Sequence, residues 1–375
     1  MDTRQILPNG GRPAKASRLA SRPWSQGALR AMQRKDREIQ AKRSARPPRT
    51  YIIHAQVHRE LMLYTPPPLR MSRLRFELRP RTALSLAPER RGEVLYGAFG
   101  TILRRTACDP SCPGAEACTR RNDCAYAQIF EPASNLGARF GAKEARKAFV
   151  FRPPLDADPL FGPLRPLIFE LRLFGEAIHA WALFIDAFRR LGDSGLADRA
   201  VDLVSVLSLD WTGTSAHILF EGGQITDAVP QILDFASLMH QPPAAARIRI
   251  QFDTPIYLKD GGTIQRQPAL PALIRRLRDR ISLLSLLWEG KEWQAEYRAI
   301  GELAEDAVMR VEEGGWIGHS RHSTRTRRDM PVEGFRGTVT YDRVHPDLLP
   351  LLRIGQEIHV GQHVVWGNGR YRLVD

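Results

Sequence analysis

The sequence has no long, uninterrupted apolar run among its 375 residues. Its most apolar stretch, residues 167–188, is broken by Glu170, Arg172, Glu176 and Asp186. A membrane-spanning helix needs about 20 consecutive apolar residues, so this stretch could cross a bilayer only at high cost. The N-terminus also lacks the apolar core of a secretory signal peptide. The sequence therefore predicts a soluble, cytoplasmic protein that does not use a membrane.

Excess charge is scarce outside the first 70 residues. The formal net charge is +14, but residues 1–70 hold 15 Lys and Arg against four Asp and Glu, and the rest of the chain holds 40 against 37. Residues 1–70 also have little apolar periodicity and contain Pro47-Pro48 and Pro66–Pro68, which is typical of disorder. They are interpreted as a basic, mostly disordered arm. The arm is either a nucleic-acid-binding tail or an extension upstream of a true start at Met71.

Cysteine is rare, and all four cysteines fall within 17 residues: Cys108, Cys112, Cys118 and Cys124. Four thiolates on a short loop rich in proline and glycine can close on one metal ion, so the cluster predicts a structural metal site. The spacing lacks a C-x2-C pair, which leaves zinc and an iron–sulfur cluster both open. Two disulfides are less favoured in a chain without an export signal. Four unrelated free thiols are the remaining interpretation.

The apolar periodicity of residues 71–241 predicts the element order β-α-β-β-α-β. The alternation of Leu74, Phe76 and Leu78 predicts the first strand. The elements predicted after it are a helix at 91–106, the Cys-rich insert at 108–124, strands at 148–152 and 165–174, a helix at 177–191, and further strands at 201–209 and 217–220.

Residues 242–375 repeat this order. The predicted elements are a strand at 247–258, a helix at 270–287, an inserted helix at 293–308, strands at 311–323 and 335–341, a short helix at 347–353 and a closing β segment at 357–373. Two split βαβ units in succession predict an α+β protein with tandem ferredoxin-like domains, in which helices cover one face of each antiparallel sheet. The predicted domains are residues 71–241 and 242–375.

The last forty residues are rich in glycine, at positions 355, 361, 367 and 369. Glycine admits positive φ angles and lets a main chain approach a ligand closely. Because Arg370, Tyr371 and Arg372 follow directly, the pattern favours an anionic ligand with stackable bases, such as RNA. A glycine-kinked edge strand is the alternative.

Residues 316–373 carry a series of motifs that resembles one known family. The motifs are Trp316, Arg321 with Ser323, Met330, Gly334-Phe335-Arg336-Gly337, Leu349-Pro350-Leu351-Leu352 with Gly355, His359-Val360-Gly361 and Gly367-Asn368-Gly369-Arg370-Tyr371. They resemble the C-terminal region of the CRISPR-associated "Cas-six" endoribonucleases of the RAMP superfamily. The cysteine insert is similar to one found in a subset of that family.

The resemblance implies RRM-like or RAMP-like domains that bind CRISPR repeat RNA or mature crRNA, with subunits of a CRISPR effector complex as further partners. It implies cleavage without a catalytic cofactor, in which a ribose 2′-OH attacks the scissile phosphate and leaves 2′,3′-cyclic phosphate and 5′-OH ends. The RNA-binding residues expected from it and from the basic pattern are Gly334, Arg336, Gly337, His359, Gly361, Gly367, Gly369, Arg370, Tyr371, Arg327 and Arg328.

The sequence departs from the family pattern at two places. Gln362 stands where the family usually has a basic residue, which removes one expected phosphate contact. No histidine lies between the first strand and first helix of the first domain, where several relatives keep their general base. The family's catalytic assignment therefore does not transfer to this chain.

Two histidines remain as candidates for acid–base work, because they lie in the basic run GHSRHSTRTRR of residues 318–328. On a strand, residues 319, 321, 323 and 325 share one face, so His319 is predicted to lie beside Arg321 and Arg325. His319 is the first candidate for the acid or base and His322 the second, and the two arginines would stabilise the phosphate. A basic strand whose histidines only bind phosphate is the alternative.

Three functions follow from these observations. The leading prediction is a CRISPR repeat endoribonuclease that produces mature crRNA. The second is a RAMP-fold subunit that holds crRNA without cutting it, which the missing histidine of the first domain favours. The third, independent of any resemblance, is a nucleic-acid-binding regulator with a metal loop.

Overall fold

The computed structural model describes residues 63–108, 111–114, 117–132, 146–239, 246–323 and 328–374. Within these ranges Asp193, His322, Ser323 and Arg328 are described by their backbone alone. The predicted arm at residues 1–70 lies almost entirely outside the described residues.

The first half of the described chain builds a sheet in which β1 is central. Its elements are β1 (Arg70–Pro80), β2 (Leu84–Ser85), α1 (Arg91–Ala107), β3 (Phe149–Arg152), β4 (Leu160–Phe161), β5 (Leu167–Phe174), α2 (Trp181–Ser194), β6 (Val201–Leu209), β7 (Ala216–Glu221), β8 (Gln224–Ile225) and β9 (Leu233–Asp234). The strand order is β3-β5-β1-β6-β7-β8, and β9 also pairs with β1. The pairings of β1 with β5 and β6 are antiparallel.

Side-chain alternation explains why β1 has one buried face. Leu74, Phe76 and Leu78 are fully buried, whereas the residues between them are partly exposed. The buried face packs against α1 and α2, whose Phe99 and Phe184 rings stack with centroids 4.2 Å apart. Helices therefore cover one face of this sheet, as its period-2 pattern requires.

The second half builds a sheet of the same plan. Its elements are β10 (Ile248–Ile256), β11 (Leu258–Asp260), β12 (Thr263–Gln265), α3 (Leu270–Glu289), α4 (Tyr297–Glu302), β13 (Val308–Ser323), β14 (Arg328–Asp342), α5 (Leu349–Ile358) and β15 (Tyr371–Val374). The strand order of the main sheet is β13-β14-β10-β15, and β11 and β12 form a separate hairpin.

Both sheets have the ferredoxin-like arrangement. In each, the first strand lies between the third and fourth strands of the β-α-β-β-α-β unit, and the second strand follows the third. This order confirms the predicted tandem ferredoxin-like fold. Among the described residues, none of the helices is both long enough and apolar enough to cross a membrane.

Two predicted elements are wrong. The inserted helix at 293–308 is only α4, because Trp293 is held outside it: its Nε1 donates to the Thr65 carbonyl at 2.7 Å, and Val308 already begins β13. The closing β segment at 357–373 is mostly a loop, and only β15 is extended. Positive φ angles recur between α5 and β15, at His359, Gly361, His363, Gly367 and Gly369, and a strand cannot form through them.

A buried cluster of charges joins the two sheets. Glu357, at the end of α5, accepts hydrogen bonds from Arg172 Nε at 2.7 Å and Arg152 Nη1 at 3.1 Å, and both arginines belong to the first sheet. Arg172 also donates to Glu170 at 2.8 Å, and Arg73 lies 3.6 Å from the same carboxylate. The Arg172 side chain is only 1% exposed.

The arginines keep the buried carboxylates ionised. Burial opposes ionisation of Glu357, but Arg172 and Arg152 outweigh it and lower its pKa to about 2. Burial likewise opposes ionisation of Glu170, and Arg172 and Arg73 lower its pKa to about 2. A buried charge without its partner is costly, so the two sheets depend on each other at this cluster.

We expect Glu357→Gln to lower the free energy of unfolding by about 3 kcal/mol, because it removes the carboxylate that pairs with the buried Arg152 and leaves Arg172 with Glu170 alone. Urea unfolding measures this. Glu305→Gln is the control: Glu305 also pairs with an arginine, Arg275 at 2.8 Å, but is 58% exposed. The control should change stability by less than about 1 kcal/mol. Equal effects of both variants would contradict the importance of the buried cluster.

We also expect the protein to lose stability in acid. The pKa values of Glu357 and Glu170 are lowered from 4.5 to about 2 on folding, so their contribution is complete above about pH 4.5 and falls as pH decreases toward 2. Melting temperatures between pH 6 and pH 3 should fall more steeply for the native protein than for Glu357→Gln. Parallel curves would show that this carboxylate does not carry the pH dependence.

Candidate functional site

The hairpin of β13 and β14 extends well beyond the second sheet. Pairing of β14 with β10 ends at Phe335 and Ile256, whereas pairing of β13 with β14 continues to Ser323 and Arg328. The distal part, residues 317–323 and 328–334, is therefore a two-stranded ribbon, which we call the distal hairpin. His319 and Arg321 lie on one face of it, two residues apart, as the alternation predicts.

The distal hairpin brings His319 to the first turn of α1. His319 Nε2 lies 2.6 Å from Oε1 of Glu93, whose side chain is only 6% exposed. Arg321 Nε lies 3.7 Å from the other oxygen of the same carboxylate. A carboxylate at this position is also favoured by the positive end of the helix dipole. The site thus combines one residue of the first sheet's helix with two residues of the second sheet.

Arg321 has an aromatic neighbour in the loop between α5 and β15. Its guanidinium lies 4.2 Å from the centre of the Trp366 ring, and His363 stacks on Trp366 with centroids 4.3 Å apart. Tyr96 of α1 lies beside Trp366 at 5.8 Å. The loop therefore fixes Arg321 from one side while Glu93 fixes it from the other.

His319 remains accessible at this junction. Its side chain is 21% exposed. It lines an open cleft of about 480 Å³, whose other lining residues are Gly318, Ser320, Asp329, Pro331 and Glu333. A ligand can therefore reach the imidazole without a rearrangement of the core.

The other predicted site residues are distributed along the hairpin and the loop. Arg325 and Arg327 lie outside the described residues, and the side chains of His322 and Arg328 do as well. Gly334, Arg336 and Gly337 lie within β14, where Arg336 is exposed. Arg370 is half-buried and donates to the Pro153 carbonyl at 3.3 Å.

The glycines of the loop make close contacts within the protein. A Cβ at Gly361 would lie 2.7 Å from the Tyr257 carbonyl oxygen, and one at Gly369 would lie 1.8 Å from the Val360 oxygen. Both residues also have positive φ angles. These glycines therefore permit close approach of the protein's own backbone. The spacing of the glycines in the sequence could not distinguish this from close approach of a ligand.

Two of the predicted RNA-binding side chains are buried in the protein. His359 is fully buried, its Nδ1 lies 3.1 Å from the Asn368 carbonyl, and burial together with Arg152 lowers its pKa. Tyr371 is 1% exposed and donates its hydroxyl to the Leu352 carbonyl at 2.6 Å. Both residues hold the loop in place because they are anchored in the core.

A family model matches the part of the chain that contains the distal hairpin and the loop. The family model described as CRISPR-associated endoribonuclease Cas6 matches residues 250–371, which include the hairpin, α5 and the loop. Over this stretch the chain is similar to the Cas6 family. The resemblance seen in the motifs of residues 316–373 is thereby confirmed. A second model, AF_1859_N, described as an N-terminal domain, matches residues 69–231 and thus the first sheet.

Solved Cas6 structures are similar to the chain at low identity. A Cas6 product complex aligns with 82% of this chain and all of its own, at 16% identity and a TM-score of 0.49. Thermus thermophilus Cas6 aligns with 82% of this chain and 99% of its own, also at 16% identity and a TM-score of 0.49. A RAMP protein binding different RNA substrates covers 81% and 100%, at 11% identity and a TM-score of 0.42. No curated protein sequence matches the chain.

The structure places a histidine from the second sheet near the start of α1. The sequence places no histidine between β1 and α1, but the distal hairpin supplies His319 to the first turn of that helix. Glu93, Trp366 and His363 were not predicted as site residues. Glu93 gave no signal beyond an acidic residue early in a helix, and it meets His319 across 226 positions of sequence.

The cysteines lie close together after the end of α1. Cys108 hydrogen-bonds to Cys124 and Cys112, and Cys112 also hydrogen-bonds to Cys118. Burial, together with Cys124 and Cys112, raises the pKa of the Cys108 thiol to about 12. All four are free thiols. Neighbouring thiols are the donors that zinc and iron–sulfur clusters use, although the described residues contain no group of three or more His, Cys, Asp or Glu side chains already arranged around a metal.

A metal at the four cysteines stays a prediction. We expect elemental analysis of protein purified without oxygen to give about one zinc, or the iron of one cluster, per chain. Cys108→Ser with Cys112→Ser should abolish this content. Metal absent from both anaerobic and aerobic preparations would contradict the site.

Proposed function

We propose that the chain is a CRISPR repeat endoribonuclease that cuts RNA without a metal. In this reaction the 2′-OH upstream of the scissile phosphate attacks it, leaving 2′,3′-cyclic phosphate and 5′-OH ends. The observation that carries the proposal is the 2.6 Å contact of His319 Nε2 with Glu93 at an accessible junction of the two sheets. Similarity to the Cas6 endoribonuclease family over residues 250–371 supports the choice of substrate.

His319 is proposed as the general base. A carboxylate that accepts the Nε2–H fixes the imidazole in the tautomer with its lone pair on Nδ1. Nδ1 can then take the proton from the 2′-OH as the new P–O bond forms. The imidazolium that results is stabilised by the Glu93 carboxylate, as in other carboxylate–histidine pairs.

Arg321 is proposed to stabilise the charge that develops on the phosphorane. Its guanidinium is held beside His319 by Glu93 and Trp366. A cation fixed before the reaction stabilises the transition state without reorganisation. As the P–O5′ bond breaks, the departing oxygen takes a proton from a second group, for which the sequence offers His322.

The basic composition of the hairpin supports RNA as the polyanion. Residues 318–328 contain four arginines and two histidines and no acidic residue. Neutralising phosphates with such cations releases counterions and supplies affinity that does not depend on sequence.

A second function is favoured by the same contact. The pairing of His319 and Arg321 with Glu93 also bridges the two sheets. In a protein that only binds crRNA, that bridge would be structural. The two functions can be told apart by cleavage: the nuclease would lose activity when the imidazole is removed, whereas a protein that only binds crRNA would not cut RNA in the first place.

We expect His319→Ala to reduce single-turnover cleavage of a repeat RNA in EDTA by at least about 100-fold, because general base catalysis contributes 100- to 10,000-fold. RNA affinity should change little. Glu93→Gln should reduce the rate less, because it keeps a hydrogen-bond acceptor while removing the charge. His179→Ala, at a histidine that is 57% exposed on the first sheet's helical side, is the control.

An unchanged rate in His319→Ala would contradict this base. Native protein that binds repeat RNA without cutting it would instead support the second function. Melting temperatures of the variants show whether any loss of rate comes from a weakened bridge between the sheets.

A further inference from the structure

Two neighbouring aromatic rings, each with a cation beside it, lie at the surface of the second sheet. The Lys259 ammonium lies 5.7 Å from the centre of the Tyr257 ring. Tyr257 faces Trp316 with centroids 5.7 Å apart and an interplanar angle of 53°. The Arg266 guanidinium lies 4.5 Å from the centre of the Trp316 ring. We call these four residues the aromatic platform.

The platform is accessible and held in place. Tyr257 and Trp316 are half-buried, and the two cations are exposed. Trp316 Nε1 donates to Glu333 Oε2 at 3.0 Å, which fixes the ring. The Tyr257 carbonyl accepts a hydrogen bond from the Gln362 amide at 3.3 Å, which ties the platform to the loop between α5 and β15. Rings that are already oriented lose little entropy when a ligand stacks on them.

Nucleic acid fits this chemistry better than a phosphate ion or an apolar ligand would. A nucleobase stacks on an aromatic face, and an exposed lysine or arginine beside it can meet the flanking phosphates. A duplex keeps its bases stacked on one another, so the platform is suited to an unpaired nucleotide.

The platform lies next to the proposed cleavage site on the same strand. Trp316 precedes His319 by three residues on β13, which corresponds to about 10 Å along a strand. Because the separation is odd, the two side chains lie on opposite faces of the hairpin. β13 is the edge strand of its sheet, so a single strand of RNA can pass around this edge and touch both.

We infer that Tyr257 and Trp316 bind one unpaired RNA base by stacking, with Arg266 and Lys259 at the adjacent phosphates. The inference rests on the proposed function insofar as RNA is the ligand. It adds a binding site that cleavage itself does not require.

The test measures binding of a labelled, single-stranded 12-nucleotide oligo(A) RNA by fluorescence anisotropy. Trp316→Leu and Tyr257→Leu should each weaken binding about tenfold, the effect of losing one stacked base. Trp316→Phe should keep most of the affinity. The slope of log K against log salt should stay unchanged in Trp316→Leu and become shallower in Arg266→Gln, because only the latter removes a phosphate contact.

Two controls separate stacking from unfolding. A base-free ribose-phosphate 12-mer should bind the native protein and Trp316→Leu equally, because it has no base to stack. Tyr297→Leu removes an exposed ring outside the platform. This ring also has an arginine beside it, Arg278 at 5.1 Å, and its hydroxyl hydrogen-bonds with that of Ser282 in α3 at 2.6 Å. This variant should bind oligo(A) like the native protein.

Unchanged binding of oligo(A) by both leucine variants would overturn the inference while leaving the proposed nuclease intact. The inference would also be overturned if native protein cut repeat RNA without binding oligo(A), or if the two leucine variants weakened the binding of duplex RNA only. Native protein that neither binds nor cuts any RNA would overturn both proposals.

Discussion

The arrangement of the two sheets depends on one buried carboxylate. Glu357 stands at the end of a helix of the second sheet, and its partners Arg152 and Arg172 stand on neighbouring strands of the first. Neither side could be buried alone, because an unpaired charge in a low-dielectric interior is far more costly than a pair. The ion pairs therefore fix the orientation of the sheets as well as their contact, since guanidinium and carboxylate groups bond only in a narrow range of geometries.

The loop between α5 and β15 is built on this junction. It begins at the residue after the helix that carries Glu357, and His359 is buried near Arg152 and Arg370. Its tryptophan, Trp366, then meets Tyr96 of the first sheet's helix and Arg321 of the distal hairpin. The glycines of the loop permit this path because backbone passes within van der Waals distance of backbone at several positions. The loop connects three elements, and close backbone packing explains its glycines.

The contact between the two sheets also brings the residues of the candidate site together. Once the sheets are fixed, the distal hairpin reaches the first turn of α1, and a buried carboxylate meets an accessible imidazole and a guanidinium. The aromatic platform lies on the opposite face of the same hairpin, so one ribbon would present a base-stacking surface on one side and the proposed reacting groups on the other.

Local patterns in the sequence determined the two ferredoxin-like units, the resemblance to the Cas6 family, and the choice of His319 and Arg321. Alternation in β1 and helical spacing in α1 depend on neighbours a few residues away, so they can be read directly from the chain. The partnership of His319 with Glu93, the burial of His359 and Tyr371, and the loop in place of a closing strand were decided only by the tertiary structure. These depend on contacts between residues far apart in sequence, and no local periodicity encodes which carboxylate a histidine will meet or which backbone a glycine will touch.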